Sequence, residues 1–184
     1  MGCSLDRKSA RIPPIHWAAI DNKPVVWLYD AQRVGNFDQS SFDYVYEHFA
    51  TDFAGMRPYI VREWQWYQAR GASNDVLRTE GLYGWGAAPF GFNVDTRFTV
   101  AEVGPGFGQN QFGGRDPIYT DRKGGKYYEE NLKSALRSNR KILSIETWNE
   151  YDEATGISET VEWGRQYIDL TRKYVNLFKA GKFP

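Results

Sequence analysis

The chain has 184 residues, 41% hydrophobic and 25% charged, proportions that suit a folded domain with one substantial core and exclude a disordered chain. Lysine plus arginine balance aspartate plus glutamate at 23 each, so no net charge draws the chain to nucleic acid or an anionic membrane, and a neutral ligand fits better. One cysteine, Cys3, and two histidines, His16 and His48, leave no internal disulfide, no Cys-based zinc site and no histidine-rich metal site.

No apolar run approaches the roughly 20 residues that span a bilayer. Residues 1–11 lack the apolar stretch of a signal peptide, and Met1-Gly2-Cys3-Ser4-Leu5-Asp6 places aspartate where a myristoylation site carries Ser or Thr. The expected location is therefore open: extracellular or periplasmic if the full-length gene carries a signal peptide. Residues 1–23, with Pro13 and Pro14, read as an irregular entry segment.

Val25-Val26-Trp27-Leu28-Tyr29 is a continuous apolar run ending at Asp30, the pattern of a fully buried parallel strand. Phe42, Val45, Tyr46, Phe49 and Phe53 then recur at helical spacing, with Ser40 or Ser41 as cap and Gly55 beyond the end. Tyr59-Ile60-Val61 predicts the next strand, leading into Arg62-Glu63-Trp64-Gln65-Trp66-Tyr67. A short helix is expected at 75–78, and a glycine-rich strand at 82–86.

Residues 98–103 predict a fourth strand, after which Gly104-Pro105-Gly106-Phe107-Gly108 opens a long polar loop to Gly125. Long loops in compact domains are often functional. Tyr128, Leu132, Ala135 and Leu136 share one face of a helix predicted at 127–139, before a fifth strand at 141–146. A closing helix at 161–179 directs Tyr167, Ile168, Thr171, Tyr174, Val175 and Phe178 inward, with Gly181 beyond it.

Strand and helix alternate, and no repeat or composition shift divides the chain, so residues 1–184 read as one α/β domain. The fold class is a (β/α) barrel type: a partial TIM barrel of about five parallel strands with surrounding helices, since a whole barrel takes about 250 residues. A five-stranded doubly wound sheet is the competing architecture, with ligand groups at the switch in strand order.

Gly104-x-Gly106-x-Gly108 lacks the glycine spacing of a dinucleotide site, and no Gly-Lys-Ser/Thr follows for a P-loop. The loop reads instead as a turn passing close to a ligand or another backbone. No Gly-x-Ser-x-Gly elbow anchors serine hydrolase chemistry. Carboxylates at the predicted strand exits form the stronger constellation: Asp30, Glu63, Glu102, Glu146, Glu150 and Glu153. Each has a plain alternative, an ion pair with Arg62, Arg97 or Arg115 or a helix cap.

Glu150 and Glu153 follow the fifth strand closely, and crowded carboxylates raise one another's pKa, as an acid and base pair requires. Aromatics make up 16% of the chain, and flat rings stack on apolar faces of sugars. Trp64, Trp66, Tyr67, Trp85, Phe90, Phe92, Phe107, Trp148 and Tyr151 fall in predicted exit loops, where about half are expected to serve as sugar platforms and the rest to pack beneath loops.

Trp148-Asn149-Glu150-Tyr151-Asp152-Glu153-Ala154-Thr155 resembles the Asn-Glu-Trp-His-Glu-Gly-Thr signature of family 99 glycoside hydrolases, the endo-α-mannosidase family, and of its family 99-like and 71-like relatives. There too the signature follows the last barrel strand and a helix closes the fold. The resemblance covers about residue 24 to the end, matching the C-terminal half of such barrels. It implies retention of anomeric configuration, with Glu150 assisting the sugar's own 2-hydroxyl through an epoxide-like intermediate and Glu153 as general acid and base. That role suits two carboxyls on one loop, because a directly attacking carboxylate needs its partner about 5 to 5.5 Å away across the scissile bond.

Asp152 replaces histidine and Ala154 replaces glycine in the signature, and Ile157-Ser158-Glu159 stands where Ile-Glu-Pro usually follows it. Trp148-Asn149-Glu150 also resembles the Asn-Glu acid/base motif of retaining β-glycosidases. There the motif ends the fourth strand and the nucleophile lies three strands later, whereas only one helix follows here.

The expected activity is O-glycosyl hydrolysis of α-linked glycan or polysaccharide, with Glu150 and Glu153 catalytic and with Glu63, Trp64, Trp66, Glu102, Trp148, Asn149 and Tyr151 binding substrate. The chemistry requires no cofactor and no metal. Expected partners are a carbohydrate substrate, neither nucleic acid nor membrane, and either a second copy or a missing N-terminal half-barrel covering an open sheet edge. The rival reading is a non-catalytic carbohydrate-binding protein or an inactive fragment of a larger glycosidase.

Overall fold

The computed structural model of the chain describes residues 16–30, 38–53, 55–67, 77–108 and 118–182. The chain divides into two compact units, the first ending at Glu80 and the second beginning at Gly81.

In the first unit, strand β1 (Ala19–Ile20) turns back antiparallel onto β2 (Lys23–Leu28) through Asp21 and Asn22. Both turn residues have positive φ, which aspartate and asparagine tolerate better than most. Helix α1 (Gln39–Asp52) then connects β2 to β3 (Tyr59–Glu63), and β2 and β3 run parallel with Val25 opposite Tyr59 and Leu28 opposite Arg62. This is the strand, helix, parallel strand unit that the alternating pattern predicted.

Two local expectations change. The cap of α1 is Asp38, because its carboxylate accepts the Ser40 N–H at 2.8 Å while the Ser41 hydroxyl accepts the Asp38 N–H at 3.3 Å, a reciprocal capping box. Strand β2 is not buried on both faces: Val26 and Leu28 pack against Phe42, Tyr46, Ile60 and Leu77, while Trp27 and Tyr29 stay exposed because only alternate residues face α1. At 75–78, Asp75 and Val76 lie outside the described residues, and Leu77 and Arg78 are not helical.

In the second unit, β4 (Gly81–Tyr83) leads to the one-turn helix α2 (Ala87–Phe90), and β5 (Val100–Val103) pairs parallel with β8 (Ile142–Ile145). Helix α3 (Lys126–Arg137) lies between them in sequence, with β6 (Phe107–Gly108) and β7 (Tyr119–Thr120) forming a small antiparallel pair before it. Tyr128, Leu132, Ala135 and Leu136 are buried, as their spacing predicted, and join Ala101, Val103, Ile157, Tyr167 and Tyr174 in the core.

The closing helix α4 (Gln166–Lys179) begins five residues later than its pattern suggested. Residues 160–164 close a turn instead, in which Gly164 has φ +51° and the Trp163 N–H donates to the Thr160 hydroxyl at 3.1 Å. Among the described residues no helix is long and apolar enough to cross a membrane, and no group of three or more His, Cys, Asp or Glu is placed to hold a metal.

Candidate active site

The exits of β4, β5 and β8 meet in the second unit, and the meeting is built from backbone. Gly104, directly after β5, lies so close to Ala88 that a Cβ on it would stand 2.4 Å from the Ala88 Cα. The glycine loop therefore serves a close approach of two backbones, one of the two uses its sequence left open. Gly106 has φ +129°, and a Cβ there would meet the Thr120 carbonyl at 2.7 Å.

Asn131, buried on α3, joins the same exits: its amide donates to the Gly104 carbonyl at 3.1 Å and its carbonyl accepts the Phe92 N–H at 2.9 Å.

Glu146, the residue after β8, is buried and turned under α2. Its Oε1 accepts the N–H groups of Gly86 at 2.5 Å and Ala87 at 3.0 Å, and its Oε2 accepts that of Ala88 at 2.8 Å. These are the donors a helix start leaves unpaired, and a carboxylate is the strongest acceptor for them. Burial pushes the Glu146 carboxyl above its ordinary value, against the pull of those donors and of the neighbouring Glu102 carboxyl. Glu102 is also buried, within β5, rather than in an exit loop.

The acidic loop follows at once and is stitched to itself. The Thr147 N–H donates to the Thr155 carbonyl at 3.1 Å, the Ile157 N–H to the Thr147 carbonyl at 3.1 Å, and the Thr155 and Gly156 N–H groups to the Glu150 carbonyl at 3.0 and 3.2 Å. The Thr147 and Thr155 hydroxyls meet at 2.8 Å, and the Tyr151 hydroxyl meets that of Ser158 at 2.9 Å. This is a compact loop closed by its own bonds, of the kind that carries functional groups on a fixed frame.

On that frame Asn149 and Glu150 are exposed, Trp148 and Tyr151 are each 60% exposed, and Glu153 is half-buried. Burial first, and then the negative charge of Glu150, hold the Glu153 carboxyl above its ordinary value. The two acids thus differ: one is solvated, and its neighbour is biased toward keeping a proton. Arg97, one of the arginines expected to pair with a strand-end acid, pairs with Asp95 at 2.6 Å.

Arg122 holds the far end of the loop. Its Nε and Nη2 donate to the Ala154 carbonyl at 3.2 and 2.5 Å, and Nη2 also reaches the Gly156 carbonyl at 2.9 Å. Its guanidinium lies 4.5 Å from the centre of the Tyr167 ring. The Gly108 N–H donates to the Glu153 carbonyl at 2.8 Å, so the carbonyls of Glu153, Ala154 and Gly156 are all held from outside the loop. Ala154 itself has φ +51°, which explains why glycine suits this position in the signature that residues 148–155 resemble.

Residues 8–182 match the model of a family described as a domain of unknown function (DUF5010). The chain belongs to this family. No curated protein matches its sequence. Two solved structures of the GH99 endo-α-mannosidase from Bacteroides thetaiotaomicron share its fold. The one in complex with BIS-TRIS-propane has a TM-score of 0.65 at 17% identity, over 89% of this chain and 60% of that one. The other has a TM-score of 0.61 at 17% identity, over 91% and 57%. A structure described as a glycoside hydrolase-like protein gives a TM-score of 0.62 at 16% identity, over 87% and 56%.

The family 99 resemblance carried by residues 148–155 is thus matched by a shared fold. The DUF5010 chain spans about 60% of the length of the solved relatives it matches.

The remaining sequence candidates lie in the first unit. Glu63 ends β3 and is buried, and its Oε2 accepts the Asp30 N–H at 3.1 Å. Trp64, half-buried, and Trp66 lie in the single 3-10 turn that follows, Trp64–Tyr67. Sequence reasoning gave no role to Arg122 or Asn131, because their partners lie 27 to 39 residues away and no periodicity marks such contacts.

Proposed function

We propose that this DUF5010 chain is a partial-barrel glycosidase, resembling the C-terminal portion of a family 99-like enzyme, that cleaves α-linked glycan with retention of configuration. The carrying observation is the pair Glu150 and Glu153 on a self-closed loop directly after β8, one solvated and the other biased toward its protonated form. Glu150 takes the proton of the sugar 2-hydroxyl as its oxygen attacks the anomeric carbon. Glu153 gives its proton to the departing glycosidic oxygen, leaving a 1,2-anhydro sugar. Water then opens that ring, Glu153 takes the water's proton, and Glu150 returns its own to the 2-oxygen. Trp148, Asn149 and Tyr151 hold the ring being cleaved, by stacking and by hydrogen bonds.

The test is sugar release from a panel of α-mannans and α-glucans. Activity of the unaltered chain that disappears in both Glu150→Gln and Glu153→Gln, with glycan binding retained, supports the mechanism. Binding without release by the unaltered chain overturns it in favour of a second reading, a non-catalytic glycan-binding domain. That reading is favoured by Asp152 and Ala154, which stand where the signature has histidine and glycine.

A further inference from the structure

The segment between β4 and β5 has a feature that the proposed chemistry does not use. Phe90 is 76% exposed and Trp85 is 41% exposed. A single exposed aromatic needs no explanation in itself. Here the backbone that carries the rings is held along its length. Three consecutive N–H groups, 86 to 88, are taken by Glu146, the Pro89 carbonyl accepts the Thr120 hydroxyl at 2.7 Å, and the Phe92 N–H is taken by Asn131. The Phe90 ring also lies along Gly86, where a Cβ would come within 3.1 Å of its Cδ2. Gly86, at φ +114°, leaves that space open.

A ring presented on a fixed backbone loses little freedom when a ligand stacks on it, which is the economy of a preorganised binding surface. The character of the ligand follows from the neighbours. Residues 84–92, Gly-Trp-Gly-Ala-Ala-Pro-Phe-Gly-Phe, contain no ionisable side chain, so the surface suits an uncharged partner with a flat apolar face. Its position follows from Glu146, which grips this segment and stands two residues before Trp148.

We propose that Phe90, on the same segment as Trp85, is a second sugar-stacking subsite that takes a pyranose ring of the same α-linked chain that reaches Glu150 and Glu153. The ligand is then an oligosaccharide that occupies both places, and Glu146 is the positioning residue of the outer one. This rests on the glycan reading above.

The experiment is calorimetric titration of the full chain carrying Glu153→Gln, which prevents turnover, with α-linked manno-oligosaccharides and malto-oligosaccharides graded in length from disaccharide upward. Affinity is expected to rise at the length that first spans both subsites. Phe90→Ala and Phe90→Leu are expected to remove that rise, about three- to tenfold for the longer ligands, with shorter ligands unchanged and Phe90→Tyr behaving like the parent. Variants that keep the parent's length dependence, or that weaken all lengths equally, overturn the subsite while leaving the glycan reading intact. No binding of either series overturns both. A concentration-dependent dimer that dissociates on Phe90→Ala assigns the ring to self-association and also overturns the subsite.

Discussion

Replacing Glu146 by glutamine tests the joint beneath the candidate site with a change of one atom. The amide retains one oxygen, which can stay with Gly86 and Ala87 as Oε1 does, but it presents an NH2 group to the Ala88 N–H that now lies 2.8 Å from Oε2. One buried donor loses its acceptor, a cost of about 1–3 kcal/mol. Amide hydrogen exchange reads this locally: protection at Ala88 is expected to fall roughly 5- to 140-fold. The melting temperature of a chain this size is expected to fall by about 2–4 °C for each kcal/mol lost.

The pH dependence has a definite sign. Because burial holds the Glu146 carboxyl above its ordinary 4.5, its ionisation costs native stability. That cost is absent at low pH, where the folded and unfolded chains both hold the proton, and it grows as pH rises through the folded value. Glutamine carries no such cost, so the variant's deficit is expected to be larger at about pH 4 than at about pH 7. Unchanged protection at residues 86–88, or a deficit that grows toward neutral pH, refutes the reasoning.

Arg122→Met removes the donors to the Ala154 and Gly156 carbonyls, and is expected to lower kcat on any glycan turned over while leaving KM little changed, at a stability cost of about 1.5–3 kcal/mol; a pure KM effect in steady-state kinetics refutes a role in positioning Glu153. Ala154→Gly relieves a left-handed conformation at φ +51° and is expected to stabilise the chain by up to about 1 kcal/mol once glycine's greater freedom in the unfolded chain is subtracted, read from a urea midpoint. Glu150→Gln is expected to lower the pKa of the Glu153 carboxyl, by removing the charge that helps to raise it; carbon-13 NMR titration with no downward shift contradicts the coupling.

Helices α1 and α3 were legible in the sequence because 3.6-residue periodicity records a buried face, although on α1 only Phe42 and Tyr46 of the predicted stripe are buried while Val45 and Phe53 are exposed. Position along the chain also made the loop after β8 legible as the acidic one. The cap of α1 lies at Asp38 rather than at Ser40 or Ser41, since all three are good caps and only the observed hydrogen bonds choose among them. The roles of Glu146 and Arg122 were illegible for another reason: the groups they hold are backbone atoms 58 to 60 and 32 to 34 residues away. A backbone acceptor or donor leaves no trace in side-chain identity, so nothing in the sequence at 86–88 or 154–156 announces the contact.

The closed loop between Thr147 and Ile157 bears on how this chain can vary. Its frame is set by the main-chain bonds of Thr147, Glu150, Thr155 and Ile157 and by two threonine hydroxyls in contact, and none of these bonds uses the Glu150 or Glu153 carboxylate. The residues that would perform chemistry are passengers on a scaffold that closes without them. Exchange of the side chains at 150, 152 and 153 is therefore open to design or drift at small cost to folding, so the acidic groups can change while the loop keeps its shape.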